Sequence, residues 1–317
     1  MKRIKIISEE EKKLRKIVKK ASYSKHCIGC DGLKNLENPL HHPSIEITQK
    51  CNHNCFFCYS KLTKVKPGLY KAKKQRKIKS VTISQYGEPL LEKEKLEKAI
   101  AIAKDFGARV DIQTNGSLIT KDTVNMMEKL GVDMIMISLN SSSREEHELI
   151  TGADTFCKVL EGIELCSSSS IYTVVRSIYI PGVNDKSLID LPRILAANVD
   201  EIFLQPLTIY RSQIQQLKTR GVDINRSIEV KEFCLFYEEL KVRCSNLGLK
   251  AKVTMPACLL LNLKKMLKHK AFLSFLERKS LVEFPEIKRE LIPLPELEST
   301  CCKDHVPCQE NQESCQQ

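Results

Sequence analysis

Short aliphatic runs alternating with charged, amphipathic stretches predict an α/β fold on a largely parallel sheet. Two observations carry the prediction: six β-branched or aliphatic runs are each bounded by polar or turn residues, and segments of helical period lie between them. A third orients the fold. Every motif with chemical potential sits at or just past the C-terminal end of a run, the face on which barrel enzymes assemble their sites. Spacing alone fits both an open doubly wound sheet and a curved, incomplete (βα) barrel.

In chain order, 8–20 reads as a surface helix whose lysines and glutamates suit a solvated face, and Cys27-Ile-Gly-Cys30 follows it. The strand candidates are 44–48, 80–84, 109–113, 134–139, 173–180 and 201–205. Helices are expected at 91–106, where Leu96, Ala99, Ile100, Ala103 and Phe106 recur at helical spacing, and at 121–130, 154–166 and 186–197. Past residue 210 the pattern changes to an amphipathic helix at 227–247, a strand candidate at 250–254 and a helix at 258–271. A Pro-rich region at 284–297 then leads into a cysteine-bearing tail. The implied organisation is an N-terminal helical segment, 1–42, an α/β core, 43–210, and an α-rich extension, 211–317.

A chain of 317 residues that is 42% hydrophobic is long enough for one large domain, or a core with a small extension. The N-terminus lacks the continuous apolar core of a secretory signal, and no apolar run approaches the roughly 18 residues of a membrane span, so a cytoplasmic protein is expected. Fourteen cysteines then argue for metal or redox use in a reducing, low-oxygen cytosol, not for a disulfide framework. The net charge of +12 is spread along the chain and does not by itself make a nucleic-acid protein. Its densest stretch, 61–79, holds nine Lys or Arg and no acid. The plain reading is a solvated loop and helix face; the sharper ones are a docking surface for an acidic electron donor or for a phosphate-bearing substrate.

The most informative run is Cys51-Asn-His-Asn-Cys55-Phe-Phe-Cys58-Tyr59. It offers three thiolates to one iron–sulfur cluster and withholds a fourth, leaving one iron open to an exogenous ligand. A structural zinc site using His53 as fourth ligand competes, but such sites usually pair two knuckles and no clean partner knuckle lies downstream. A ferredoxin-type electron carrier needs a fourth nearby cysteine, and the next after Cys58 is Cys157.

Cys-x3-Cys-x2-Cys with an aromatic, Phe57, before the last cysteine resembles the signature of the radical S-adenosylmethionine (radical SAM) superfamily. Five further segments fall in the order that family shows. Gln85-Tyr86-Gly87-Glu88-Pro89-Leu90 resembles its Gly-Gly-Glu-Pro motif, with Tyr86 replacing the first glycine. Thr114-Asn115-Gly116 follows the third strand, and Ser138-Leu139-Asn140 stands where Ser-Leu-Asp is frequent. Arg176 precedes Ile180-Pro181-Gly182-Val183-Asn184-Asp185, and Gln205-Pro206-Leu207 ends the sixth strand. The resemblance covers roughly half of the chain.

It implies a partial (βα)6 TIM-like barrel, a [4Fe–4S] cluster on Cys51, Cys55 and Cys58, and S-adenosylmethionine (SAM) chelated at the open iron. It also implies that Phe57, Gly87, Glu88, Pro89, Thr114, Asn115, Ser138, Asn140, Arg176 and Gln205 surround SAM. Glu88 and nearby carbonyls would hold its amino group, Thr114, Asn115, Ser138 and Asn140 its ribose or carboxylate, and Arg176 its carboxylate or the substrate. Asn184 and Asp185 read as caps of the next helix. A low-potential donor such as ferredoxin or flavodoxin is the implied partner, and a peptide, cofactor precursor or RNA the implied substrate, with no membrane role.

The layout is nearest the molybdopterin-cyclase and peptide-modifying branch, without reproducing the cysteine pattern of either. Cys27 and Cys30, with Cys301, Cys302, Cys308 and Cys315 of the tail, are candidate ligands of an auxiliary iron–sulfur cluster or zinc ion if the two ends meet. Cys157, Cys166, Cys234 and Cys244 fall on helical patterns and read as small buried hydrophobes. Rival functions are a zinc-stabilised nucleic-acid-binding protein using 61–79, and a non-catalytic iron–sulfur assembly or electron-transfer subunit.

Overall fold

A computed structural model describes residues 8–28, 30, 42–73, 75, 77–195, 198–278, 280–282 and 289–297. Its strands are β1 (Ser44–Glu46), β2 (Gly68–Lys71), β3 (Ser80–Ile83), β4 (Arg109–Thr114), β5 (Met134–Ser138), β6 (Tyr172–Tyr179), β7 (Glu201–Pro206), β8 (Ile209–Tyr210), β9 (Lys252–Thr254), β10 (Leu281–Val282) and β11 (Glu290–Ile292). Nine of them form one sheet in the order β11-β2-β1-β3-β4-β5-β6-β7-β9, and β8 pairs with β10. From β1 to β9 through β3, β4, β5, β6 and β7, every neighbouring pair is parallel, while β2 runs antiparallel to both β1 and β11. All six expected strands are present, and 250–254 supplies a seventh parallel one.

The helices are α1 (Glu9–Lys20), α2 (Lys93–Asp105), α3 (Lys121–Lys129), α4 (Arg144–Thr151), α5 (Phe156–Ser167), α6 (Asp185–Asp190), α7 (Ile214–Thr219), α8 (Ile224–Ser227), α9 (Val230–Asn246), α10 (Ala257–Met266) and α11 (Phe272–Leu276). Alternation along each strand separates two faces. Val110 and Ile112 of β4 join Leu96 and Ile100 of α2, Met127 of α3, Ile163 of α5 and Tyr237 of α9 in the main core. Asp111 and Gln113 of the same strand face the other way, onto a surface that carries Arg176, Met134 and Met136. This inner face is crossed by the segment after α1. Lys25 donates its backbone N–H to Glu201 and holds its ammonium over the Tyr172 ring, while His26 Nδ1 meets Asp111 Oδ2 at 2.8 Å.

Several expectations change. The helix at 8–20 begins at its Ser8 cap as expected, but it is not simply a surface element: Leu14, Ile17 and Val18 are buried in the main core, leaving its charges on the far side. The basic stretch 61–79 contains strand β2, because Leu69 and Tyr70 of that stretch have apolar bodies to bury and β1 offers an edge. The helix expected at 186–197 ends at Asp190 and passes into a 3-10 turn at Leu191–Arg193, where Pro192 withdraws a backbone donor. The helix expected at 227–247 is present as α9, preceded by the short α8, and α4 was not anticipated. Cys166, Cys234 and Cys244 are buried as expected, whereas Cys157 is exposed on α5. Among the described residues, no helix is long and apolar enough to cross a membrane.

Candidate active site

The loop after β1 carries Cys51, Cys55 and Cys58, and all three line one cavity of about 880 Å³ over the C-terminal ends of the parallel strands. No disulfide joins them. Burial lifts the Cys55 thiol to about 12, and its neighbours Cys58 and Cys51 add to the effect, so the three sulfurs share one electrostatic neighbourhood. Two backbone N–H groups of the loop are taken by the last carbonyls of α4: Asn54 N–H reaches Thr151 O at 2.6 Å and Phe56 N–H reaches Ile150 O at 3.3 Å. The helix that sequence reasoning missed is thus the one that seats the cysteine loop.

The segment after β3 rests directly on that loop. Glu88 N–H donates to Lys50 O at 2.9 Å. A Cβ on Gly87 would stand 2.4 Å from Thr48 O and 2.8 Å from Lys50 O, so only glycine lets the two backbones approach this closely. The turn opens at Ser84, whose φ of +61° is unusual for a residue with a side chain. Glu46 secures it from the inner face of β1: its Oε2 accepts the N–H groups of Gln85 at 2.9 Å and Tyr86 at 3.2 Å. Tyr59 and Ser60, just past Cys58, donate their hydroxyls to the carbonyls of Gln85 and Tyr86.

Glu88 is 1% exposed and its carboxyl is pushed up to about 7 by burial, although it accepts three hydrogen bonds. Thr114 Oγ1 donates to Oε1 at 2.8 Å, Leu90 N–H to the same oxygen at 3.1 Å, and Asn115 N–H to Oε2 at 2.7 Å. Asn115 then reaches back to the cysteine loop, donating Nδ2–H to Asn52 Oδ1 at 2.7 Å and approaching Cys51 Sγ at 3.8 Å. The Gly-Glu-Pro and Thr-Asn-Gly segments therefore meet each other and the cysteines, as their order along the chain suggested.

The later motif residues divide into two groups. Ser138, Arg176 and Gln205 line the cavity, with the half-buried Arg176 donating Nε–H to Gln205 Oε1 at 2.6 Å and Nη1–H to Gln113 Oε1 at 2.8 Å. Asn140 also borders the cavity but spends its amide oxygen on Ile178 N–H at 2.8 Å. Asn184 does not cap α6 through its side chain. It is fully buried, accepts Ile180 N–H at 2.8 Å and donates to Asn140 O at 2.9 Å and Ile178 O at 2.8 Å, stapling the end of β6. Asp185 instead pairs with Arg226 at 2.6 Å. Phe57 borders the cavity, with its ring edge-on to Phe56. His53 Nε2 meets Thr155 Oγ1 at 2.8 Å, so its side chain is engaged with α5's approach and not with a fourth ligand position.

The radical SAM superfamily model matches residues 45–194, a span that contains the three cysteines and every motif up to Asp185. An uncharacterized protein of Methanocaldococcus jannaschii is 44% identical over 284 residues, covering 89% of this chain and 96% of its own. A probable GTP 3′,8-cyclase of Saccharolobus solfataricus is 36% identical over 135 residues, covering 40% of this chain and 43% of the cyclase. Streptococcus suis SuiB bound to S-adenosylmethionine superposes with a TM-score of 0.53 at 14% identity, over 69% of this chain and 51% of SuiB. The chain belongs to the radical SAM superfamily. It is an enzyme, and its mostly parallel sheet is similar to the partial TIM barrels of that superfamily.

Membership implies a [4Fe–4S] cluster and SAM as cofactors, and the residues present fit them. Three soft thiol donors open onto one cavity, and the cavity wall opposite them carries hydroxyl, amide, carboxyl and guanidinium groups suited to an amino acid and a ribose. Two residues of this radical SAM site escaped sequence reading. Glu46 stands inside an aliphatic run, where a lone acid flanked by Ile45 and Ile47 is a signal of an inward polar role. Cys258, at the start of α10, borders the same cavity. Of the candidate auxiliary ligands, Cys301, Cys302, Cys308 and Cys315 lie outside the described residues.

Proposed function

We propose that Cys51, Cys55 and Cys58 ligate a [4Fe–4S] cluster whose open iron binds SAM, and that the enzyme cleaves SAM reductively to abstract hydrogen from its substrate. The observation that carries this reading is the convergence of the cysteine loop, Glu88, Thr114 and Asn115 on one cavity. When bound, the reduced cluster supplies one electron to the SAM sulfonium, giving methionine and a 5′-deoxyadenosyl radical. The chain's own residues bind and orient. Glu88, with the carbonyls after Ser84, offers acceptors to an ammonium group; Ser138 offers a hydroxyl to ribose; Phe57 shields the cluster; Arg176 presents a planar guanidinium to a carboxylate of SAM or of the substrate.

We place the reaction in a reducing, low-oxygen cytoplasm, fed by an acidic donor such as ferredoxin or flavodoxin that docks on the basic face at 61–79. The substrate class we favour is a peptide or cofactor precursor, with RNA behind them; the cyclase relatives and SuiB act as a guide to the core only, since the chain spans about half of each or less. The decisive experiment is anaerobic incubation of cluster-loaded protein with dithionite and SAM. Formation of 5′-deoxyadenosine, lost in Cys51→Ser, Cys55→Ser and Cys58→Ser, supports the reading. A cluster-loaded protein that yields none with any candidate substrate overturns it in favour of an assembly or electron-transfer subunit.

A further inference from the structure

Cys27, Cys30 and Cys258 come from opposite ends of the chain and meet for structural reasons. After α1 the chain pairs with the residue that follows β9: Met255 N–H donates to Ser22 O at 3.1 Å, Ser24 N–H to Met255 O at 3.3 Å, and Tyr23 forms a parallel bridge with Met255. Ser24 then opens a single 3-10 turn, Lys25–Cys27, through its hydroxyl, and Cys30 N–H returns to Cys27 O at 3.2 Å, so the turn brings both cysteines of Cys-x2-Cys together. Here the segment touches the N-terminus of α10. That helix starts after Pro256, which gives it no side-chain cap, and its first N–H, on Ala257, donates instead to Cys27 Sγ at 3.5 Å across 230 positions of sequence. Cys258 is the next residue.

We propose that Cys27, Cys30 and Cys258 form a second thiolate-ligated metal centre at the N-terminus of α10, taking a soft metal as an iron–sulfur cluster or as zinc. A Cys-x2-Cys knuckle joined by a distant third cysteine is a donor set for either. The uncapped first turn of a ten-residue helix favours the anionic thiolates that ligation requires. Cys258 and Cys30 are both close enough to Cys27 to act on its thiol.

Packing alone does not account for this trio. Cys166, Cys234 and Cys244 are nearly or fully buried members of the main apolar core, whereas Cys27, Cys30 and Cys258 are each part-exposed and lie around the first turn of α10. The nearby group His26, His42 and Asp111, with ligand atoms within 4.8 Å of one another, is a poorer metal site. Arg109 already reaches both oxygens of Asp111, at 2.8 and 2.7 Å, and sets a fixed positive charge where the cation would sit.

The test measures iron, sulfide and zinc in anaerobically purified protein carrying Cys51→Ser, Cys55→Ser and Cys58→Ser together. Retention of roughly four iron with sulfide, or of about one zinc, is expected, and the ratio tells the two metals apart. Adding Cys258→Ala or Cys27→Ala should bring this residue to background, and adding Cys166→Ala should not. A folded triple variant free of both metals, or one whose metal survives Cys258→Ala, overturns the proposal. If the triple variant does not fold, Cys258→Ala in the otherwise natural chain carries the same test: it should lose one metal complement and keep the other, and unchanged metal content overturns the proposal. Cleavage of SAM is scored separately, so failure of the cluster-loop reading and failure of this one give different results.

Discussion

Replacing Gly87 with alanine tests the contact on which the site is built. The added methyl would enter a space bounded by two carbonyl oxygens, Thr48 O at 2.4 Å and Lys50 O at 2.8 Å, with Gln49 Cα at 3.0 Å. All three obstacles are backbone, so no side chain can swing away. Relief requires the β3 turn and the cysteine loop to separate, which strains the Glu88 N–H to Lys50 O bond of 2.9 Å. Overpacking of this kind costs about 1 to 3 kcal/mol. For a chain of this size that is a fall of roughly 1.5 to 4.5 °C in thermal midpoint. The assay pairs thermal unfolding with the iron bound after anaerobic reconstitution, and Gly87→Ala should lower both, because the displaced backbone is that of the cysteine loop. A variant that melts with the natural protein and loads the same iron would refute the argument that this glycine sets the distance between motif and loop.

Three other perturbations follow from the same geometry. Glu88 has a folded-state pKa of about 7 against an ordinary value of 4.5, so the folded protein holds this proton more tightly than the unfolded chain. Its contribution to the stability of the SAM-free protein is therefore full below pH 4.5 and lost as pH rises to about 7, an effect of roughly 3 kcal/mol that denaturant unfolding across this range should show and Glu88→Gln should flatten. Asn184→Ala leaves Ile180 N–H and two carbonyls without their partner in a fully buried position. At about 1 to 3 kcal/mol for each stranded group, urea unfolding should show a clearly lower midpoint. Leu14→Ala should destabilise by about 2 to 5 kcal/mol in the same assay, since the α1 face it occupies belongs to the main core.

The parallel strands were legible because strands covered on both faces read as aliphatic runs, and β1, β3, β4, β5, β6 and β7 all fall on such runs. The motifs were legible because each ends a strand, where the backbone is free to turn toward a ligand. What the sequence hid were partnerships made across the chain. β2 lies inside a stretch so basic that its two apolar residues did not register, and its antiparallel neighbours become visible only when β1 and β11 are in place. Asn184 was read as a local cap because asparagine before a helix usually is one. Its real partners include Asn140, on a different strand end 44 positions earlier, and no local pattern reports that.

Glu46 makes the same point in energetic terms. A carboxylate at 1% exposure is unfavourable unless hydrogen-bonded, and burial raises its pKa accordingly. The donors that offset this come from Gln85 and Tyr86, about forty positions downstream, and they are available because Ser84 holds a positive φ that turns both N–H groups inward. The strained residue and the buried acid therefore require one another: without Glu46 the two N–H groups lose their acceptor, and without the turn at Ser84 the acid loses its donors. Such reciprocal arrangements persist where surrounding structure over-determines them, and here they hold the segment that ends in Glu88 against the cysteine loop. The site is thus assembled from the inside of the barrel outward, by a residue on the first strand that carries none of the recognisable motifs.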